Sequence, residues 1–126
     1  QTLSNELGTP QILVCPSDTR PPASHFTRLQ NGNVSYFVGV SAEFGQPTVV
    51  LSGDRNLTNG LPRPMGVLGL EPDRPAGWTA EIHNEKGNLG LADGSAQQVN
   101  TPSLRRQIEA CLRSTEPKPQ RLQFPD

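Results

Sequence analysis

Apolar residues arrive in short clusters broken by Gly, Pro and Asn, and sustained periodicity is confined to the last third of the chain. Leu3 and Leu7 stand four apart, ahead of Gly8 and Pro10. That is the spacing and stop of a final helical turn, so residues 2–7 are predicted to be helical and to dock on a sheet through both leucines. ILVC at 12–15 is a brief apolar run that ends in the turn-forming Pro16-Ser17-Asp18-Thr19. SYFVGV at 35–40 and PTVVLSG at 47–53 are rich in β-branched and aromatic residues and bounded by turn formers, which predicts two strands. Residues 54–77 hold four Pro and four Gly. They are predicted to form one long surface excursion, a kind of loop that is often functional in a compact domain.

The order improves after Gly77. WTAEIH, NLGLA and SAQQV predict three successive strands, a meander over 78–99. Asn84-Glu85-Lys86-Gly87 would join the first pair, and Asp93-Gly94 the second through a two-residue type I′ turn. Thr101 is placed to cap a helix over 102–113 that opens on Pro102. Leu104, Ile108, Cys111 and Leu112 recur on one side of that helix, while Arg105, Glu109 and Arg113 face elsewhere. Residues 115–126 carry three Pro and read as an extended or disordered Pro-rich tail. The expected architecture is one α+β domain over residues 1–114, an antiparallel sheet with a helix at each end.

Composition narrows the function classes. The chain has 126 residues and a formal net charge of -1, from eleven basic and twelve acidic side chains. Nucleic-acid binding is not expected, since it needs a concentrated basic surplus. Hydrophobic residues make up 33% and aromatics 5%, so the core must be lean. No run approaches the roughly 18 apolar residues that span a bilayer, and no signal peptide is visible. The chain opens QTLSNELGTP without an initiator Met, which suggests a processed or truncated form. Cys15 and Cys111 lack the second sulfur or His two to four residues away that local zinc or redox motifs use. A long-range disulfide and two free buried thiols both remain open.

His83 precedes Asp93-Gly94 by ten positions, which raises the question of a catalytic pair. If Asn84 to Gly87 turn the chain, Asp93 lies five residues along the second strand, about 17 Å from the hairpin end that holds His83. A working His–Asp hydrogen bond needs about 3 Å. Asp93-Gly94 therefore reads as a turn, and His83 as a structural histidine.

The H-x9-D-G spacing of His83, Asp93 and Gly94 resembles the signature of the prepilin-type family named for that pattern. LVCPSDT at 13–19, SYFVG at 35–39 and LSGDRN at 51–56 resemble further blocks of the same family, in the same order. These bacterial proteins are similar in architecture to type IV pilins and the pseudopilins of type II secretion. The resemblance implies a long N-terminal helix packed on an antiparallel sheet, with residues 1–8 as the end of that helix. It implies partners too: other pilin-like subunits, met through the missing apolar helix, which anchors the full-length protein in the membrane before assembly. The location implied is the periplasmic side of the inner membrane or the cell surface.

The resemblance gives His83 and Asp93 no catalytic role, and the chain shows no G-x-S-x-G elbow, H-E-x-x-H helix or Gly-Lys phosphate loop. No enzyme activity and no catalytic residue are expected. Calcium enters because major pseudopilins carry a calcium-holding loop, and Asp18, Asp54, Glu71 and Asp73 are loop carboxylates of the right chemistry. No D-x-D-x-D-G spacing selects among them, so no metal ligand is assigned. The expected function is a non-enzymatic subunit of a secretion or type IV pilus-like filament system. The runner-up is a secreted or surface binding module that uses the 54–77 loop.

Overall fold

A computed structural model describes residues 2–115 and 118–126, with side chains described from Ser4 onward. The chain opens with helix α1, Thr2–Leu7, stopped by Gly8 at a φ of 69°. A 3-10 turn follows at Pro10–Leu13, where the Thr9 side chain accepts a hydrogen bond from the Gln11 backbone N–H. The predicted helix is present, but its docking is not as expected. Leu7 meets Leu13, Phe26 and Leu29 around an apolar hollow beside the early loops, and the main neighbour of α1 is the 3-10 turn rather than the sheet. The Leu3 side chain lies outside the described residues.

The main sheet has six antiparallel strands: β1 Tyr36–Gly39, β2 Val50–Asp54, β4 Val67–Leu70, β6 Lys86–Leu91, β7 Ala96–Asn100 and β8 Gln120–Gln123. Their spatial order is β4-β8-β1-β2-β6-β7. Two short strands, β3 Leu57–Thr58 and β5 Gly77–Trp78, form a separate pair. Helix α2, Thr101–Thr115, turns Leu104, Ile108, Cys111 and Thr115 inward and packs beside β5 and β7. Asn100, not Thr101, caps it by accepting the Ser103 N–H at 3.0 Å. Thr101 instead accepts the Trp78 N–H. The core joins Phe37, Leu57, Leu68, Trp78, Leu89, Leu104, Leu122 and Phe124, all buried. An antiparallel α+β fold is therefore what this sequence adopts.

Three expected segments differ. Of WTAEIH only Trp78 is in a strand, the short β5 at Gly77–Trp78. Beyond it the chain curls, with Ile82, Asn84 and Glu85 at positive φ, and the amide of Asn56 reaches the carbonyls of Thr79, Glu81 and Lys86. The meander thus shrinks to the β6–β7 hairpin. The 54–77 stretch is not a free excursion, because it supplies β3 and the edge strand β4, with Leu68 and Leu70 buried. Residues 115–126 are extended at their end but not peripheral: β8 sits between β4 and β1. Leu122 and Phe124 enter the core, and that apolar pair outweighs the prolines around it.

The Asp93-Gly94 turn is present with a different geometry. Gly94 N–H donates to the Leu91 carbonyl, and Leu91 N–H to the Ser95 carbonyl. Gly94 alone has positive φ, at 89°. That is a type I turn closed by a left-handed glycine, not the type I′ turn, which needs two such residues.

The sheet register also defines an uncovered face. Val67, Gln123, Val38, Ser52, Gly90 and Ala96 pair successively across all six strands. Paired residues point the same way, and none of these six is buried. Their neighbours Leu68, Leu122, Phe37 and Leu89 point to the opposite, core-facing side.

Candidate functional site

The polar groups of most interest sit where the early loop, the end of β2 and the 79–85 loop meet. Cys15 follows the 3-10 turn and is held by its backbone N–H, which donates to Ser35 Oγ at 3.0 Å. Ser35 Oγ in turn donates to Asp18 Oδ2 at 2.8 Å. Asp18 faces Arg55 in a two-pronged pair, Nε to Oδ2 at 2.8 Å and Nη2 to Oδ1 at 2.7 Å. The Asp18 side chain is 1% exposed and that of Arg55 16%. Arg55 also reaches Glu81 at 3.0 Å, which ties the 79–85 loop to the same anchor.

This pairing sets the electrostatics of the anchor. Hydrogen bonding from Arg55, helped by Ser35, holds the Asp18 carboxyl well below the usual carboxylate range, against the opposing effect of burial. The hydrogen bond it donates to Asp18 raises Arg55 in turn. Arg20 is lowered by burial and then by the Arg55 charge. Its Nη1 meets the carbonyls of Asn31, Val34 and Pro125.

Beside this anchor lies a second cluster. His83 Nε2 stands 3.3 Å from Cys15 Sγ, 3.4 Å from Asp54 Oδ2 and 3.3 Å from Asn88 Nδ2. Asp54 is fully buried. Its Oδ2 accepts from the Asn88 N–H at 2.6 Å and from Asn88 Nδ2 at 3.0 Å, while Oδ1 is buried with no hydrogen-bond partner. Arg55, next in sequence, points to Asp18 and Glu81, which leaves His83 as the only ion-pair partner of Asp54 among the described residues.

The geometry decides what chemistry this cluster can do. In a nucleophile–histidine–acid relay the two ring nitrogens divide the work, one facing the nucleophile and the other the acid. Here the thiol and the carboxylate approach the same nitrogen, so no relay forms. Sulfur, nitrogen and oxygen atoms within 4.8 Å of one another have instead the donor chemistry of a ligand set.

His83 and Asp93 have separate partners. Asp93 is exposed and accepts from the Ser95 hydroxyl at 2.6 Å and from its backbone N–H at 2.9 Å; the hydroxyl bond is the main cause of its lowered pKa. Cys15 and Cys111 are both free and buried, and burial pushes the Cys111 thiol up. Of the calcium candidates, Asp18 is engaged by Arg55 and Asp54 by Asn88. Glu71 and Asp73 are exposed, with Glu71 paired to Arg74. These four carboxylates do not form one group, and the three-membered set among the described residues is Cys15, Asp54 and His83. Asp54 ends strand β2 rather than lying in a loop.

Sequence reasoning treated Cys15, Asp54 and His83 separately and passed over Asn88. Local spacing could not join residues 68 positions apart. One usable signal was an acid directly following the strand-like run VVLSG, where one more strand residue carries it inside. No protein-family model matches the chain, and no match was found among curated proteins or solved structures. Among the described residues no helix is long and apolar enough to cross a membrane.

Proposed function

We propose that this chain is the globular part of a pilin-like or pseudopilin-like subunit, non-enzymatic, serving a bacterial secretion or type IV pilus-like filament system. The observation that supports this reading most is the uncovered sheet face. Helix α2 packs beside β5 and β7 and sends Leu104 and Ile108 into the core, while the row from Val67 through Val38 to Ala96 presents small, apolar and amide side chains on the opposite face of the sheet. Val38 is 53% exposed. An open sheet face with an exposed apolar side chain near its middle suits a neighbouring subunit. In this reading an apolar helix upstream of α1 holds the subunit at the periplasmic side of the inner membrane and then enters the filament core. His83, Asp93 and Gly94 serve as scaffold.

The test uses the full-length gene product in its native membrane. Val38→Asp should abolish cross-linked multimers, while the isolated domain keeps its melting temperature because the side chain is half exposed already. Multimers that persist in this variant, or a full-length product that washes off the membrane with salt, would sink the proposal.

A further inference from the structure

We propose that Cys15, Asp54 and His83 form a binding site for one zinc ion, a site that does not depend on the filament reading above. The thiol, carboxylate and imidazole donors lie within 4.8 Å of one another. Zinc bonds of about 2.0–2.3 Å at tetrahedral angles put neighbouring ligand atoms about 3.3–3.6 Å apart. The sulfur–nitrogen separation is 3.3 Å and the nitrogen–oxygen separation 3.4 Å. Two of the three ligand–ligand separations already match a seated ion.

Three independent features point the same way. The first is the orphaned Asp54 Oδ1, a buried acceptor without a donor, in a carboxylate that no Lys or Arg among the described residues neutralises. A buried anion in that position costs free energy that a cation recovers. The second is support around the donors. Asn88 fixes Asp54 through two hydrogen bonds, and Ser35 fixes the Cys15 backbone. Held donors of this kind typify metal sites. The third is the backbone around His83: Ile82, Asn84 and Glu85 all take positive φ, at 64°, 51° and 62°. Ile is β-branched and resists that region. The loop is bent against its preferences in a way that sets the ring over Cys15 and Asp54.

The donor set also selects the metal. One thiolate and one imidazole suit zinc and exclude the hard, all-oxygen preference of calcium and magnesium. On binding, the Cys15 thiol loses its proton to solvent and the thiolate bonds the ion. Cys15 and Asp54 are buried, and the His83 side chain is 17% exposed. Water completes a fourth position. The ion would tie three segments together, namely the early loop, the end of β2 and the 79–85 loop, so its role is to hold the fold.

The test starts from chelator-treated, reduced protein titrated with Zn²⁺, and with Co²⁺ as a coloured substitute. One Zn²⁺ per chain should bind and raise the melting temperature. Co²⁺ should give a thiolate-to-metal charge-transfer band that Cys15→Ser removes and Cys111→Ser leaves intact. Asp54→Asn and His83→Gln should each weaken Zn²⁺ binding at least tenfold. If those variants fail to fold, the wild-type chain still reports: Zn²⁺ should shift the ring proton resonances of His83 and leave those of exposed His25 unmoved. Absence of the charge-transfer band, its survival in Cys15→Ser, or a shift confined to His25 would each overturn the assignment.

Discussion

Replacing Arg55 with Met would remove the guanidinium that neutralises Asp18 while keeping much of its aliphatic bulk. The carboxylate would then be left 1% exposed, with only the Ser35 hydroxyl and the Arg20 backbone N–H as donors. Breaking a buried pair on one side costs about 3–5 kcal/mol. The two remaining donors place this case near the lower figure, about 3 kcal/mol. For a domain of this size each kcal/mol lowers the melting temperature by roughly 2–8 °C, so a drop of roughly 6–24 °C is expected. The pH dependence sharpens the test. Asp18 has a depressed folded pKa, so its stabilising contribution is present above the unfolded value of about 3.9 and fades as pH falls below it. Wild-type protein should therefore lose stability steeply below about pH 4. Arg55→Met lacks that contribution and should show a flatter profile there, so the two curves converge on acidification. Urea melts from pH 2 to pH 7 measure both quantities. A loss under 1 kcal/mol at neutral pH, or parallel curves in acid, would refute the claim that this pair anchors the early loop.

Three further outcomes follow from the fold. Gly94→Val should cost about 1–2 kcal/mol, read by thermal denaturation, from positive φ alone, since nothing lies within 4 Å of the added Cβ. Gly87→Ala should cost more, because its Cβ would be driven into the Trp78 ring, and tryptophan fluorescence should shift as that ring moves. Truncation after Lys118 removes β8 with buried Leu122 and Phe124, and the product should show no cooperative melt by circular dichroism.

Local signals carried much of the fold. β1 and β2 were legible from β-branched and aromatic clusters, α2 from its apolar spacing, and the 88–99 hairpin from Asp-Gly. The sequence misled where long-range pairing outweighed local character. Prolines near 117–125 mark a tail by composition, yet Leu122 and Phe124 find the core and bring β8 with them. WTAEIH has strand propensity, but Trp78 pairs back with Leu57 and Asn56 captures the carbonyls that a longer strand would have used. The Cys15–Asp54–His83 cluster had no local signature at all. Its members come from three separate segments, and only the folded chain brings them within 4.8 Å of one another.

The position of β8 has a consequence for how the molecule is made. Strand β1 is complete at Gly39, but one of its two neighbours does not exist until Gln120–Gln123 has been synthesised. Strand β4 depends on the same late segment. Synthesis at about 5–20 residues per second leaves β1 waiting several seconds for that partner. During that interval the nascent chain presents open strand edges, and open edges recruit other chains. Closure of the sheet is therefore a late event in the life of each molecule. A chaperone that shields β1 until β8 arrives would keep that edge from other chains.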